Sequence, residues 1–443
     1  MRITSVGGGP AGLYFALLMK LRNPQHDVVL LERNATSATH GWGLTLGQDV
    51  LDVLRCNDPL SADALERAAV HWTHQVIQIG GARETAGGYS VYNIGRHALV
   101  DILANRARDV GVRISYGHEV TGQGELPQSD LIVAADGVRS RLRSAVGRFG
   151  TSVREGGNKY IWLGTDKIFD EFNYIFVPTE HGWVWAYAYE FDPQTSTFIV
   201  ECSPRAWSGL GLDTMPADDG VALLGDLFKY QLDGHRLIAR LPDGTCARWF
   251  NFGTVINERW HTDNIVLAGD SAHTAHFSLG QGTKIALEDA IALADNLHRH
   301  TDLETALTAY EEQRKAELVR PLSEARCSSE WFEDLERYIH LKPHQFATVL
   351  QTRWSPLTAI LPPRLGYQLR QATERFAVLN SIRSQVGPAV KTIYGKRTSL
   401  LRGPRPNSTA AIRTTSIAEF VRTRRSPAQE NRDEADPMGW RIP

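Results

Sequence analysis

A glycine-rich turn near the N-terminus constrains the fold more than any other part of the sequence. A short apolar run, residues 2–6, leads into GGGPAG, which contains Gly7, Gly9 and Gly12. The helical pattern LYFALLMKL follows, and a second apolar run ends at Glu32, 20 residues beyond Gly12. This arrangement is typical of a dinucleotide-binding βαβ unit. The sequence therefore predicts an α/β fold that begins with a Rossmann-like domain.

The residues of this turn have separate expected roles. Gly7 permits a tight turn, Gly9 lets a pyrophosphate approach the backbone, and Gly12 lets the helix pack on the strand. Glu32 is placed to accept hydrogen bonds from a ribose diol. The alternative is a glycine-rich turn without a ligand, which the strand and helix context disfavours.

A second candidate ligand site lies at residues 264–290. A short apolar strand leads to Gly269 and Asp270, and after a polar loop Gly280 and Gly282 begin an amphipathic helix. Unpaired amides in the first turn of a helix, together with its dipole, favour an electron-rich ligand. We therefore expect a ligand to meet the start of this helix.

Two further segments lie between these motifs. Arg96 begins a helical pattern and is either a phosphate contact or a surface cation. After an expected strand around residues 118–121, a stronger strand ends at Asp136 and Gly137. The arginines that follow either bind a ligand or begin a solvated basic helix; they are Arg139, Arg141 and Arg143.

Short aromatic and β-branched runs in the middle of the chain predict an antiparallel sheet. They are residues 159–165, 174–177, 183–189 and 197–202, which we expect to be joined by residues 69–79 and 89–94. Alternating rings place Trp183, Trp185, Tyr187 and Tyr189 on one face of a strand. That face either packs in the core or forms a floor for a flat ligand.

Three motifs in this order resemble the FAD-binding pattern of single-component aromatic hydroxylases, the flavoprotein monooxygenases of the para-hydroxybenzoate hydroxylase type. The resemblance covers roughly residues 1–330. Five segments are similar to the subgroup that contains salicyloyl-CoA 5-hydroxylase, the monooxygenase part of anthraniloyl-CoA monooxygenase/reductase and the tryptophan hydroxylase of violacein synthesis. They are GWGLTL, NKYIWLGT, STFIVECS, AHFSLGQGTK and SEWFEDLERYIHL.

The resemblance implies a set of FAD contacts. The N-terminal turn would hold the ADP half, Asp136 would lie near the pyrophosphate, and Asp270 would bind the ribityl chain. The helix that begins near Gly282 would point at the pyrimidine edge of the flavin. The expected cofactor-binding residues are Gly7, Gly9, Pro10, Ala11, Gly12, Glu32, Arg33, Arg96, Asp136, Gly269, Asp270, Gly280, Gly282 and Thr283.

The resemblance also implies the reaction. NADH or NADPH would reduce FAD transiently, O2 would add to the reduced flavin as a hydroperoxide, and an aromatic ring would take the terminal oxygen. The favoured substrate is an aroyl-CoA thioester such as salicyloyl-CoA, with a carrier-bound or free acid as variants. The alternatives are a tryptophan or indole hydroxylase of a secondary-metabolite pathway, and a flavin-binding NAD(P)H oxidase or redox partner that does not hydroxylate.

The polar loop contains the candidate catalytic residue, His276. It would hydrogen-bond a ring substituent or the peroxide, although a histidine that only packs the loop is an equal alternative. Phe277, Tyr187 and Trp185 are the expected substrate contacts. His273 lies three residues before His276, but no cysteine or carboxylate nearby completes a metal site. We interpret Ser271 and His273 as part of the cofactor turn and not as a catalytic pair.

Four positions depart from the wider family. His276 and Phe277 replace a Pro-Pro pair, Lys284 replaces an asparagine, and Trp42 stands where many members have an arginine. The contacts made by those family residues are therefore not transferred to this chain.

Composition excludes several other classes. A formal net charge of -2 gives no basic field for nucleic acid, and no apolar run approaches the ~18 residues of a membrane span. The four cysteines form no CxxC pair, which disfavours a metal cluster or redox dithiol and fits a reducing cytosol. We expect a cytoplasmic monomer or homodimer that acts on a small aromatic molecule.

The motifs divide the 443 residues into expected regions. These are a discontinuous FAD-binding domain (1–70, 95–150 and 261–330), a substrate-binding β-sheet domain (71–94 and 151–260), a C-terminal helical region (331–395) and a flexible tail (396–443). Helices are expected over residues 303–320 and 328–355. Residues 396–425 contain eight basic side chains and one acid, so the alternative to a solvated tail is a grip on CoA phosphates.

Overall fold

The computed structural model describes residues 1–35, 41–240 and 246–373. The tail predicted at 396–443 lies outside the described residues, as does the last part of the predicted helical region, residues 374–395. Within the described residues, no helix combines the length and apolarity needed to cross a membrane.

The described strands form two sheets. In chain order they are β1 (Arg2–Val6), β2 (Asp27–Leu31), β3 (Gly43–Gly47), β4 (Val70–Ile79), β5 (Ala82–Gly95), β6 (Arg113–Ser115), β7 (Leu131–Ala134), β8 (Thr151–Thr165), β9 (Phe172–Thr179), β10 (Gly182–Asp192), β11 (Thr195–Cys202), β12 (Leu237–Ile238), β13 (Trp249–Asn257), β14 (His261–Thr262) and β15 (Ile265–Leu267).

Helices cover both sheets. In chain order they are α1 (Pro10–Arg22), α2 (Gln48–Asn57), α3 (Pro59–Ala68), α4 (Arg96–Asp109), α5 (Arg141–Val146), α6 (Pro204–Gly209), α7 (Ala217–Leu227), α8 (Lys229–Leu232), α9 (Gly282–Arg299), α10 (Leu303–Glu333), α11 (Pro343–Gln351) and α12 (Pro356–Ile360). Short 3-10 turns occur at Gln123–Glu125, Gly269–Ser271, Phe277–Leu279 and Leu335–Arg337.

The first sheet is the parallel sheet, with six strands in the order β14-β15-β7-β1-β2-β6. Only the short β14 pairs antiparallel. Pro10 begins α1 with its φ already fixed for a helix, and every residue from Ala11 to Met19 is buried between the sheet and its neighbouring helices. The arrangement brings the ends of β1, β7 and β15, and therefore all three motifs, to one edge.

The position predicted from the sequence for one strand of this sheet is wrong. The strand expected around residues 118–121 lies instead at Arg113–Ser115, where it pairs in parallel with β2. The His118 amide still donates to the Glu32 carbonyl at 2.9 Å, but the chain then leaves the sheet. Register with Val29–Leu31, and not local composition, decided the strand's position.

The second, large sheet has nine strands in the order β12-β8-β11-β10-β9-β4-β5-β3, with β13 paired to β8. All six runs predicted from the sequence coincide with its strands, except that residue 69 precedes β4. It is mixed and not purely antiparallel, because β4 and β9 pair in parallel. It also includes β3, which lies inside the range 1–70 expected for the FAD-binding domain and pairs with β5.

One face of the large sheet is lined with aromatic side chains. It packs against α10 and α11, and its buried cluster contains Trp185, Tyr187, Tyr189, Trp331 and Phe332. The expected shared face of the β10 rings is therefore confirmed.

The helix α10 is longer than expected. It continues through Pro321 to Glu333, whereas the sequence placed a helix end at residue 320. A proline removes one backbone donor and crowds the preceding turn, so its position inside a helix is opposed by local preference. Burial of Trp331 and Phe332 from the last turn against the large sheet offsets that cost.

Candidate active site

The three motif glycines have different surroundings. A Cβ on Gly7, whose φ is +109°, would lie 2.2 Å from the Ala135 carbonyl oxygen, and a Cβ on Gly12 would lie 2.1 Å from the Gly7 carbonyl oxygen. A Cβ on Gly9 would meet nothing within 4 Å. Gly7 and Gly12 are thus required by the protein's own packing, whereas Gly9 leaves the backbone open to a ligand.

Glu32 is held beside this turn by backbone amides. Its Oε2 accepts from the Gly8 amide at 2.5 Å, and its Oε1 accepts from the Asn34 amide at 2.8 Å. The neighbouring Arg33 is exposed. The Glu32 carboxylate and the first turn of α1 therefore lie next to each other, as binding of a ribose and a pyrophosphate requires.

The turn after β7 holds one of the predicted arginines inside the protein. Asp136 accepts from the Leu142 amide at 3.2 Å through Oδ2, while its buried Oδ1 has no partner among the described residues. Arg143 is buried and donates to the carbonyls of Ser271 and Val138. It therefore joins the second and third motifs, whereas Arg139 and Arg141 are exposed.

The Gly269–Asp270 turn opens onto the same region. Gly269 has φ +65°, and its amide donates to Asp289 Oδ2 at 2.9 Å. Asp270 is exposed, yet nearby protein atoms desolvate its carboxylate and raise its pKa, while Arg96 and His273 act in the opposite direction. A carboxylate that solvent reaches but protein surrounds lies in a concavity, as a buried ribityl hydroxyl would need.

A buried ion network, which the sequence did not predict, anchors this turn. Asp289 on α9 accepts from His273 Nε2 at 2.7 Å and from Arg314 Nε at 2.7 Å. Burial disfavours the carboxylate, but His273 and Arg314 outweigh it and hold the pKa of Asp289 below its usual range. Ser271 Oγ lies near the Ala134 and Ala268 carbonyls and not near His273, so the two form no catalytic pair.

The start of α9 is open to a ligand. Gly280 has φ +65°, and Gln281 precedes the helix without a side-chain cap. A Cβ on Gly282 would meet nothing within 4 Å, and Thr283 lies in the uncapped first turn. Within the described residues, the amides of this turn therefore remain available to an electron-rich group. Lys284 points away to pair with Asp49.

His276 is held inside the loop that precedes α9. Its Nδ1 lies 2.9 Å from Ser278 Oγ and accepts from the Ser278 amide at 3.3 Å. The imidazole stacks on Phe277 with centroids 4.4 Å apart, and Phe252 meets it edge-on at 4.8 Å. Burial, aided by the charge of Arg353, lowers the pKa of His276 to about 3. The ring is thus neutral at physiological pH.

Phe277 joins this loop to the large sheet. Its ring lies 4.8 Å from that of Tyr160 and 5.7 Å from that of Tyr187. Tyr187 is therefore adjacent to the loop, whereas Trp185 stacks on Phe332 at 5.7 Å in the core. Of the two predicted contacts on β10, only Tyr187 lies beside the predicted site.

Glu201 is a second feature that the sequence did not reveal. It is 1% exposed and accepts from Tyr187 Oη at 2.7 Å, Asn158 Nδ2 at 2.8 Å and Trp185 Nε1 at 3.3 Å. Burial raises the pKa of Glu201 to about 7, although these three hydrogen bonds act in the opposite direction. An acid on the inward face of the apolar run TFIVEC was the available signal.

Trp42 occupies a position where the family pattern has an arginine. Its indole lies against Gly164, where an added Cβ would be 2.8 Å away, and its carbonyl accepts from the Arg96 amide at 2.9 Å. Its buried Nε1 has no partner in the described part of the chain. Trp42 therefore supports the backbone at the start of α4 by packing.

In the described ranges, the structure shows neither a metal-binding cluster nor a disulfide. No group of three or more histidine, cysteine or acidic side chains there is arranged to hold a metal ion. All four cysteines are free thiols.

The chain belongs to a family of FAD-binding proteins: the family described as FAD binding domain matches residues 2–320. This confirms the predicted family and cofactor. Its relatives define the class further. Salicyloyl-CoA 5-hydroxylase from Streptomyces sp is 38% identical over 368 residues, which are 80% of this chain and 70% of that protein. The protein is an FAD-dependent monooxygenase whose homologues are aromatic hydroxylases.

Two more relatives have named substrates. The 3-hydroxy-4-methyl-anthranilyl-[aryl-carrier protein] 5-monooxygenase of Streptosporangium sibiricum is 34% identical and covers 76% of this chain and 90% of its own. Protodeoxyviolaceinate monooxygenase of Chromobacterium violaceum is 31% identical and covers 85% and 100%.

Solved structures confirm the fold class. The tetrameric form of 2-methyl-3-hydroxypyridine-5-carboxylic acid oxygenase has a TM-score of 0.62 at 21% identity, over 79% of this chain and 95% of that one. PqsL of Pseudomonas aeruginosa in complex with 2-aminobenzoylacetate has a TM-score of 0.61 at 18% identity, over 76% and 98%. The Rossmann-like domain, inserted sheet and C-terminal helices predicted from the sequence are therefore the observed architecture.

Proposed function

We propose that the protein hydroxylates the ring of an ortho-hydroxy- or ortho-amino-benzoyl thioester, with salicyloyl-CoA as the model substrate. The observation that carries the proposal is the position of the His276–Phe277 loop between the open start of α9 and the ring-lined face of the large sheet. Two relatives, at 38% and 34% identity, are named for aryl groups carried on CoA or on a carrier protein.

The residues at the three motifs suit FAD. The open Gly9 backbone, the unpartnered Asp136 Oδ1 and the uncapped α9 start all provide groups for the cofactor. We propose that Glu32 and Arg33 hold the adenosine half, Arg96 and Asp270 the middle, and the first turn of α9 the flavin. Bound FAD would accept electrons from NAD(P)H and activate O2.

The protein would then orient the ring and exclude water. We propose that Phe277 and Tyr187 contact the ring edge and that His276 Nε2 donates a hydrogen bond to a ring substituent. Because His276 is neutral, it donates without adding charge to the site. We propose that the surrounding aromatic side chains exclude water from the site, which limits side reactions of the activated oxygen.

Product analysis tests this assignment. Protein, FAD and NAD(P)H are incubated separately with salicyloyl-CoA, anthraniloyl-CoA, free salicylate and tryptophan, and the products are compared by mass. We expect a gain of one oxygen with the thioesters and little with salicylate. Hydroxylation of tryptophan alone would overturn the proposal in favour of an indole hydroxylase. NAD(P)H oxidation without any hydroxylated product would indicate an uncoupled oxidase instead.

A further inference from the structure

Arg353, just beyond α11, is a buried cation at the back of the His276 loop. It is 7% exposed, and its Nη2 donates to the Ser278 carbonyl at 2.6 Å and to Tyr174 Oη at 2.8 Å. Its guanidinium also lies 5.7 Å from the centroid of the Phe332 ring. Among the residues that the structure describes, its hydrogen-bond acceptors are hydroxyl and carbonyl oxygens, including the Leu350 carbonyl at 2.8 Å, and none is a carboxylate. Neutral oxygen acceptors and an aromatic ring therefore hold this buried cation, and one of the acceptors, the Ser278 carbonyl, belongs to the loop that contains His276.

A chain of hydrogen bonds connects Arg353 to the imidazole. Arg353 Nε lies 3.0 Å from Ser328 Oγ, Ser328 Oγ lies 2.7 Å from Ser278 Oγ, and Ser278 Oγ lies 2.9 Å from His276 Nδ1. Both serines are buried, at 0% and 4% exposure. Water therefore does not compete for these protons.

The direction of this chain is set by Arg353. Arg353 can only donate, so Ser328 Oγ accepts from it and directs its own proton to Ser278 Oγ. The Ser278 hydroxyl then directs its proton to His276 Nδ1, which leaves that nitrogen as the acceptor. The Ser278 amide, 3.3 Å from Nδ1, favours the same arrangement.

We propose that Arg353, acting through Ser328 and Ser278, fixes His276 in the tautomer that carries its proton on Nε2. The imidazole is then a permanent hydrogen-bond donor toward the substrate and does not act as a base, because neither nitrogen is free to take a proton. Arg353, Ser328 and Ser278 are positioning residues. The part that this hydrogen-bond chain would play in catalysis rests on the proposed function. The low pKa of His276 agrees with this assignment.

Nitrogen chemical shifts test the tautomer without reference to activity. The FAD-loaded protein is labelled with 15N-histidine, and long-range 1H–15N correlations are recorded from pH 6 to pH 8, with His276→Gln used for assignment. We expect an unprotonated Nδ1 and a protonated Nε2 throughout. Ser278→Ala should move both shifts toward the average of two exchanging tautomers. A protonated Nδ1 or an imidazolium in the unmodified protein would overturn the proposal.

Kinetics provide the second readout. Ser278→Ala removes the hydroxyl but leaves the carbonyl that Arg353 binds, so the loop keeps that anchor. We expect kcat for ring hydroxylation to fall about tenfold, the effect of misorienting one hydrogen bond, with KM little changed. Thr348→Ala is the matched control, because the one partner of its hydroxyl in the described part of the chain is the His344 carbonyl within α11. Its kcat should stay within about twofold.

The outcomes separate the two proposals. Equal kcat for Ser278→Ala and Thr348→Ala, with unchanged shifts in Ser278→Ala, would show that the serines do not set the tautomer. The predicted shifts in a protein that hydroxylates no aroyl thioester would leave the tautomer assignment standing and remove the proposed substrate.

Discussion

Two fully buried carboxylates, one in each half of the molecule, have opposite surroundings. Asp289, behind the Gly269–Asp270 turn, faces the cation Arg314 and the proton of His273. Glu201, beneath the aromatic face of the large sheet, receives hydrogen bonds from neutral donors only, as far as the described residues extend. The pKa of Asp289 is accordingly lowered and that of Glu201 raised to about 7. The same chemical group is a fixed anion in one place and titratable in the other.

This difference indicates a division of labour. An ionised Asp289 ties α9, α10 and the turn into a frame that is lost only in acid. Glu201 lies one hydrogen bond from Tyr187, which contacts Phe277 of the His276–Phe277 loop. Perturbed acids cluster at functional sites, so a change in Glu201 is expected to reach the substrate side first.

The largest expected effect comes from Asp289→Asn. It leaves Arg314 buried with weaker partners, Glu317 and Glu288, and should lower the free energy of unfolding by about 3–5 kcal/mol. FAD affinity should fall with it, because the Gly269 amide loses its anion. Urea unfolding and flavin fluorescence titration measure both. Glu288→Gln, which removes the neighbouring carboxylate on the same helix, is the control and should cost less than about 1 kcal/mol.

The Asp289 frame has a defined pH response. Its pKa in the folded state is depressed, so its contribution is present above its pKa in the unfolded chain and is lost as the pH falls through the folded value. A loss of FAD on titration from pH 8 to pH 6 that Asp289→Asn abolishes would contradict its assignment as a fixed anion.

Glu201→Gln tests the titratable half. The pKa of Glu201 in the folded protein lies above the ordinary value of 4.5. Its contribution to the free energy of unfolding is therefore fully present below pH 4.5 and is lost as the pH rises through about 7. This difference corresponds to at most about 3 kcal/mol. The variant should therefore flatten the dependence of unfolding free energy between pH 5 and pH 7.5. An unchanged slope would show that Glu201 does not titrate there.

Tyr187→Phe should have a smaller effect of the same kind. It keeps the ring beside Phe277 but removes the Oη donor to Glu201, at a cost of about 1–2 kcal/mol. Losing this donor disfavours the ionised form of Glu201, so the pH at which Glu201 titrates should rise. A lower titration midpoint would contradict donation from Tyr187 Oη to Glu201.

The smallest effect is expected at the molecular surface. Lys284 pairs with Asp49, and both side chains are partly exposed, at 33% and 59%. Lys284→Ala should therefore change the free energy of unfolding by less than about 1 kcal/mol. A larger loss would show that charge at the start of α9 matters as much as the buried network.

The sequence was sufficient to predict those features whose physical cause lies within a few neighbouring residues. The glycine turn, its strand and helix, and the period-two rings of β10 are each specified within a few residues. The strand misplaced to residues 118–121 and the helix continuing through Pro321 are the opposite case, because distant partners decided both.

The buried polar contacts are not local at all. Asp289 meets Arg314 across 25 residues, and Arg353 meets Ser278 across 75. His276 and Phe277 were predicted as candidates, but only the folded structure shows which atoms of that loop are already hydrogen-bonded. The polar residues on otherwise apolar faces, Glu201 on β11 and Asp289 on α9, were the readable signals.

The most direct test of the proposed function follows the oxygen atom. Salicyloyl-CoA is incubated with the FAD-loaded protein and NAD(P)H under 18O2, and labelled product is compared with NAD(P)H consumed. We expect one 18O atom in each hydroxylated ring and close to one NAD(P)H per product. Unlabelled product, or NAD(P)H consumption without hydroxylated thioester, would contradict the proposal.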